Sequence, residues 1–87
     1  MNYTYVALKK ILNELVPEKY PGISGIKVVD DEWNDTHKYK VFLGFRPEDT
    51  DVFARQDARD YVKQISKYVL GNNETLGQVL FYNIDAP

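Results

Sequence analysis

Eighty-seven residues with 44% hydrophobic and 28% charged side chains bound the chain to one globular domain, with room for a single two-layer core and none for a second. The 11 Lys and Arg against 13 Asp and Glu give a net charge of −2, without the global basic excess by which nucleic-acid-binding domains usually neutralise phosphates. The lack of cysteine excludes disulfides, thiolate zinc centres and thiol catalysis; with no apolar run near the ~20 residues of a membrane span, an untargeted, soluble, cytoplasmic chain is expected.

Taken in order, Tyr5, Leu8, Leu12 and Leu15 follow a 3-4-3 spacing that Ile11 widens. This predicts an amphipathic helix from Tyr3 to Val16, capped by Thr4 or Asn2 and ended by Pro17. Tyr20-Pro21-Gly22 reads as a turn, and Gly25 as a possible tight bend. Ile26 to Val29 is β-branched and predicts a strand, extendable from Ile23 to about Asp31. In Lys38 to Phe45 the residues Tyr39, Val41, Leu43 and Phe45 alternate with Lys38, Lys40, Phe42 and Gly44, the pattern of a strand with one buried face. The stretch from Asp30 through His37 is longer than a two-residue turn, so these two strands are expected to form an antiparallel hairpin with an extended tip.

Gly44 within its strand suggests a bulge or a close approach by another backbone. After the loop Arg46 to Asp51, the residues Ala58, Tyr61, Val62, Ile65, Tyr68 and Val69 mark a second amphipathic helix ending at Leu70, with Gly71 as its cap. Two beginnings are open: Asp51 caps a helix from Val52, or Asp57 caps one from Ala58 and leaves Val52 and Phe53 to plug the edge of the core. Asn72-Asn73-Glu74 reads as a turn. Gly77 to Ile84 reads as the last strand, with Val79 and Phe81 on one face and Leu80, Tyr82 and Ile84 on the other. The expected fold over residues 1–87 is a single α+β domain, a two-layer sandwich of αββαβ order whose three-stranded sheet is covered on one face by two helices.

Candidate chemistry is sparse. Asp30, Asp31, Glu32 and Asp35, followed by His37, place oxygen and nitrogen donors within one short loop. The spacing lacks the central glycine and closing glutamate of a calcium loop, so the stretch reads as a solvated hairpin tip that discourages edge pairing, and no metal is assigned. His37 is the one imidazole; catalysis through it would need Asp35 as its orienter, and neither Ser24 nor Ser66 sits in a nucleophile elbow. No enzyme activity and no cofactor are expected. Gly22-Ile23-Ser24-Gly25 spells Gly-x-x-Gly but precedes a strand and follows Pro21, and it reads as a turn.

The surplus of apolar side chains points to contact instead. Trp33 lies in a polar loop, and Phe42 falls on the outward positions beside Lys38 and Lys40, with Leu80 and Tyr82 as further members of an outer patch. These six residues are the candidate interaction surface. The order helix, strand, strand, helix, strand, with a long hairpin and a final aromatic strand, resembles ribosome-binding factor A and other type II K-homology folds, and BolA-like proteins. The chain lacks the basic surface of the first group and the Arg-His signature of the second. In general character Ile11 to Pro17, Ile26 to Asp31 and Asp57 to Gly71 also resemble small proteins of tailed phages. Two functions are expected in consequence: a non-catalytic assembly module that binds a protein partner or itself, or, as the resemblance implies, an RNA-binding or ribosome-associated factor using Lys38, Lys40, Lys63 and Lys67.

Overall fold

The computed structural model describes residues 3–32, 34, 37–49 and 51–71, and the backbone of 75–82. The elements follow the order α1 (Tyr3–Lys19), β1 (Ile23–Asp30), β2 (Lys38–Phe45), α2 (Val52–Leu70) and β3 (Thr75–Tyr82), an α+β arrangement. β1 and β2 form the antiparallel hairpin that the alternation of β2 requires. β3 runs parallel to β2 on its other side, so β2 is central in the order β1-β2-β3. A parallel neighbour needs a crossover, and α2 is that crossover.

The core lies between one sheet face and the helix pair. Tyr39, Val41 and Leu43 are fully buried and Phe45 nearly so, as their two-residue period dictates. Against them pack Leu8, Leu12 and Val16 of α1 and Ala58, Val62 and Leu70 of α2. Both helices thus cover the same face.

Several boundaries differ from the sequence expectation, each for a physical reason. Pro17 does not end α1, which continues through Lys19. A proline near a helix end forfeits only the bond from its own nitrogen, and the Tyr20 N–H closes the last turn onto the Val16 carbonyl at 2.9 Å. The buried line is Leu8, Leu12 and Val16, while Leu15 is 41% exposed. Helical neighbours four apart stack on one face, so burying Val16 rotates Leu15 outward.

α2 starts at Val52, because the Asp51 carboxylate accepts from the N–H groups of Phe53 and Ala54 at 3.0 and 3.2 Å. Val52 and Phe53 do not plug the core: in that first turn they face solvent, Phe53 at 83% exposure. The edge beside Phe45 is covered instead by Arg55, whose guanidinium lies 5.3 Å from the ring centroid and donates to the Asp49 carbonyl at 2.6 Å. The buried line of α2 runs Ala58, Val62, Ser66 and Leu70, and Tyr68, expected on that face, is 92% exposed. Gly71 caps α2 with φ 64°, its N–H on the Lys67 carbonyl at 3.1 Å.

The irregularity expected at Gly44 lies across from it. The pairing skips between Ile23 and Gly25, so β1 carries the bulge and Gly25 faces Gly44. β3 begins at Thr75, ahead of the expected Gly77, and a second register shift falls between Tyr39 and Lys40, where Gly77 is passed over. The turn assigned to Asn72, Asn73 and Glu74, and Ile84, lie outside the described residues.

Candidate functional site

Two surfaces are built by the hairpin. The first is the sheet face turned away from the helices. An extra residue in a strand reverses which face the following side chains occupy. The bulge at Ser24 and Gly25 therefore leaves Ile23 buried, sets Val28 opposite Val41 on the inner face, and places Lys27 opposite Phe42 and Val29 opposite Lys40 on the outer one. Lys27 and Lys38 are exposed, while Val29, Lys40 and Phe42 are half-buried. Lys40 Nζ lies 3.2 Å from the Asp31 carboxylate, which ties β2 to the end of β1.

Of the six residues singled out from the sequence, Lys38, Lys40 and Phe42 share this face. In the ladder Leu80 neighbours Phe42 and Tyr82 neighbours Gly44; the side chains of both, and the whole of Trp33, lie outside the described residues. Lys63 and Lys67 are exposed on α2, in the helix layer, and do not join Lys38 and Lys40. Sequence reasoning passed over Lys27 and Val29. The signal for them was indirect, since only the bulge moves them to the outer face.

The second surface is the hairpin tip. The Asp31 N–H donates to the Lys38 carbonyl at 2.8 Å, closing the ladder, and Asn34 takes φ 50° in the turn beyond it. Asp30 is half-buried opposite Tyr39, and both of its carboxylate oxygens lie against His37 Nδ1, at 3.1 and 2.9 Å. The imidazole stacks nearly parallel on the Tyr39 ring, with centroids 6.1 Å apart and planes 10° from each other. Residues two apart share a side, so Glu32 follows Asp30, and Asp31 turns the other way to Lys40. One donor atom each from Asp30, Glu32 and His37 lie within 4.8 Å of one another. The partner of His37 is thus Asp30 rather than Asp35, which lies outside the described residues.

The Gly-x-x-Gly stretch serves the fold. Pro21 and Gly22 form a turn, and the Gly22 carbonyl accepts from the Arg46 N–H at 2.9 Å. A Cβ at Gly22 would fall on the Asp49 carboxylate, so this glycine is a close approach between the two ends of the hairpin layer.

No protein-family model and no curated protein matches the sequence. The fold is similar to that of a solved structure, the C-terminal domain of the magnetosome protein MamB from Desulfamplus magnetovallimortis BW-1, with a TM-score of 0.70 over 99% of each chain and 20% identity. That is a likeness of fold. No helix among the described residues is long and apolar enough to cross a membrane.

Proposed function

We propose that the domain is a non-catalytic interaction module that contacts a protein partner or a second copy of itself through the sheet face turned away from the helices. The observation that carries this reading is the one-sided packing: α1 and α2 both lie on the face of Tyr39, Val41 and Leu43, and Lys27, Val29, Lys40 and Phe42 occupy the opposite one. Half-buried Phe42, with Lys27 across the ladder and Lys40 two residues along the strand, sets an apolar side chain beside polar ones, as in a protein contact. Leu80, Tyr82 and Trp33 are the residues that would extend it.

The experiment is Phe42→Asp, read by sedimentation equilibrium and by capture of partners from the native host. A charge in the centre of the contact should dissociate the complex and leave the circular dichroism spectrum and melting temperature of the monomer nearly unchanged. An unfolded variant would make Phe42 a core residue and overturn the reading. A complex that survives would place the contact elsewhere.

A second reading, RNA binding, is favoured by Lys27, which faces Phe42 across the ladder, and by Lys38 and Lys40, which lie on the same face along β2. Cations beside an aromatic ring on a sheet are suited to stacking bases and meeting phosphates. Its test is fluorescence anisotropy with a single-stranded RNA at low salt: affinity should fall steeply as salt rises, and no binding at low salt rules the reading out.

A further inference from the structure

We propose that Asp30, Glu32 and His37 at the hairpin tip form a binding site for one borderline divalent cation, with Zn2+ as the type ion. Three features of the chain lead there. The donor set is mixed, two carboxylates and an imidazole, and the imidazole nitrogen is what separates it from a solvated acidic patch: hard, all-oxygen sets suit Ca2+ and Mg2+, whereas an added imidazole suits Zn2+ and its neighbours. The donors come from both sides of the hairpin connection and converge within 4.8 Å. Tetrahedral coordination with bonds of about 2.0 to 2.1 Å puts ligand atoms roughly 3.4 Å apart, so the Asp30 and His37 atoms are already close enough and only the Glu32 side chain, exposed and free to change rotamer, has to swing inward.

The third feature is that the ring is already oriented. His37 Nδ1 points at the Asp30 carboxylate while stacking on fully buried Tyr39 holds the imidazole plane. A hydrogen atom now occupies the line between Nδ1 and the carboxylate in the Nδ1–H tautomer. With the proton on Nε2 instead, the Nδ1 lone pair and the carboxylate oxygen face one another across a gap that a cation fills. Two carboxylates and a neutral imidazole offer a formal charge of −2, which balances the ion. Asp31 is kept out of the set by its ion pair with Lys40, so among the described residues the protein ligands are these three, and solvent would complete the shell.

Isothermal titration calorimetry of the whole chain with Zn2+, paired with a thermal melt with and without the ion, tests this. One ion should bind per chain and raise the melting temperature. Glu32→Gln and His37→Gln should each weaken binding about 10-fold or more, as expected when one of three ligands is replaced, whereas Asp31→Asn should leave the affinity unchanged. Glu32 is exposed, so its variant keeps the fold even if the His37 variant does not. Absence of stoichiometric heat at millimolar Zn2+, or an affinity equal in the wild type and the Glu32→Gln variant, would overturn the proposal, as would Ca2+ displacing Zn2+ at equal concentration.

Discussion

The phenol of Tyr5 donates to the main-chain carbonyl of Val28 at 3.0 Å, joining the first turn of α1 to the middle of β1 across 23 residues of sequence. The ring packs against the core while its hydroxyl reaches strand backbone. Tyr5→Phe keeps the packing and deletes the bond, so it should destabilise by about 1 kcal/mol, the net worth of a partly buried neutral hydrogen bond. Urea denaturation of the two proteins measures the difference. An unchanged midpoint would show that water replaces the phenol without loss.

Leu43 stands at the centre of β2, fully buried and paired with Ile26 on one side and with the position of Phe81 on the other. Leu43→Ala removes a branched side chain that both helices pack toward. The expected loss is about 2 to 5 kcal/mol. A domain of this size holds roughly 5 to 10 kcal/mol in all, so the variant should unfold at a fraction of the wild-type denaturant midpoint. A loss under about 1 kcal/mol would contradict the burial of this position.

Asp51 caps the start of α2, accepting two of the first free N–H groups. Asp51→Ala should cost about 1 kcal/mol and fray the first turn, and Asp51→Asn should restore most of it, because the amide oxygen accepts in the same geometry. Amide exchange at Phe53 and Ala54 is the local measurement. Equal protection in Asp51→Ala and wild type would show that the turn is held by tertiary contacts instead.

Ser66 is the buried polar residue of the helix layer, and its hydroxyl has no hydrogen-bond partner among the described residues. Burying an unpaired hydroxyl is unfavourable. Ser66→Ala should therefore be neutral or stabilising by up to about 1 kcal/mol in thermal or chemical denaturation. A clear destabilisation would reveal a partner for the hydroxyl.

What was legible in the sequence is what a single short-range rule decides. The inner face of β2 follows from its strict two-residue period, and the hairpin follows from two β-rich runs that have no other nearby partner. The helices were legible as elements but not in their rotation. Leu15 and Val16 are both apolar and adjacent, and only the docked position of α1 on the sheet chooses between them; Tyr68 lost its expected place to Ser66 in the same way. Asp51 and Asp57 are equally good caps in isolation, and the Arg55 contact with Phe45 favours the longer helix. The hairpin-tip donors were visible as a group, but the contact of His37 with Asp30 depends on the pairing register, which a long connection does not set. Lys27 and Val29 were hidden for a related reason, because their face is decided by a bulge that nothing in Ser24 or Gly25 alone demands.

The parallel placement of β3 has a kinetic consequence. Lys38 meets Thr75, so the ladder on that side of β2 forms only after the whole of α2 has been made and turned back, while the hairpin on the other side closes over a connection much shorter than that crossover. Non-local pairing of this kind is slow relative to hairpin closure. On a ribosome, β1, β2 and both helices emerge before residues 75–82. During that interval β2 presents an unpaired edge alongside an incompletely covered apolar face, the condition under which strands recruit foreign partners. The yield of folded protein should accordingly depend on how fast the last stretch is delivered, and a chain shortened before Thr75 should aggregate through β2 rather than remain a stable four-element domain.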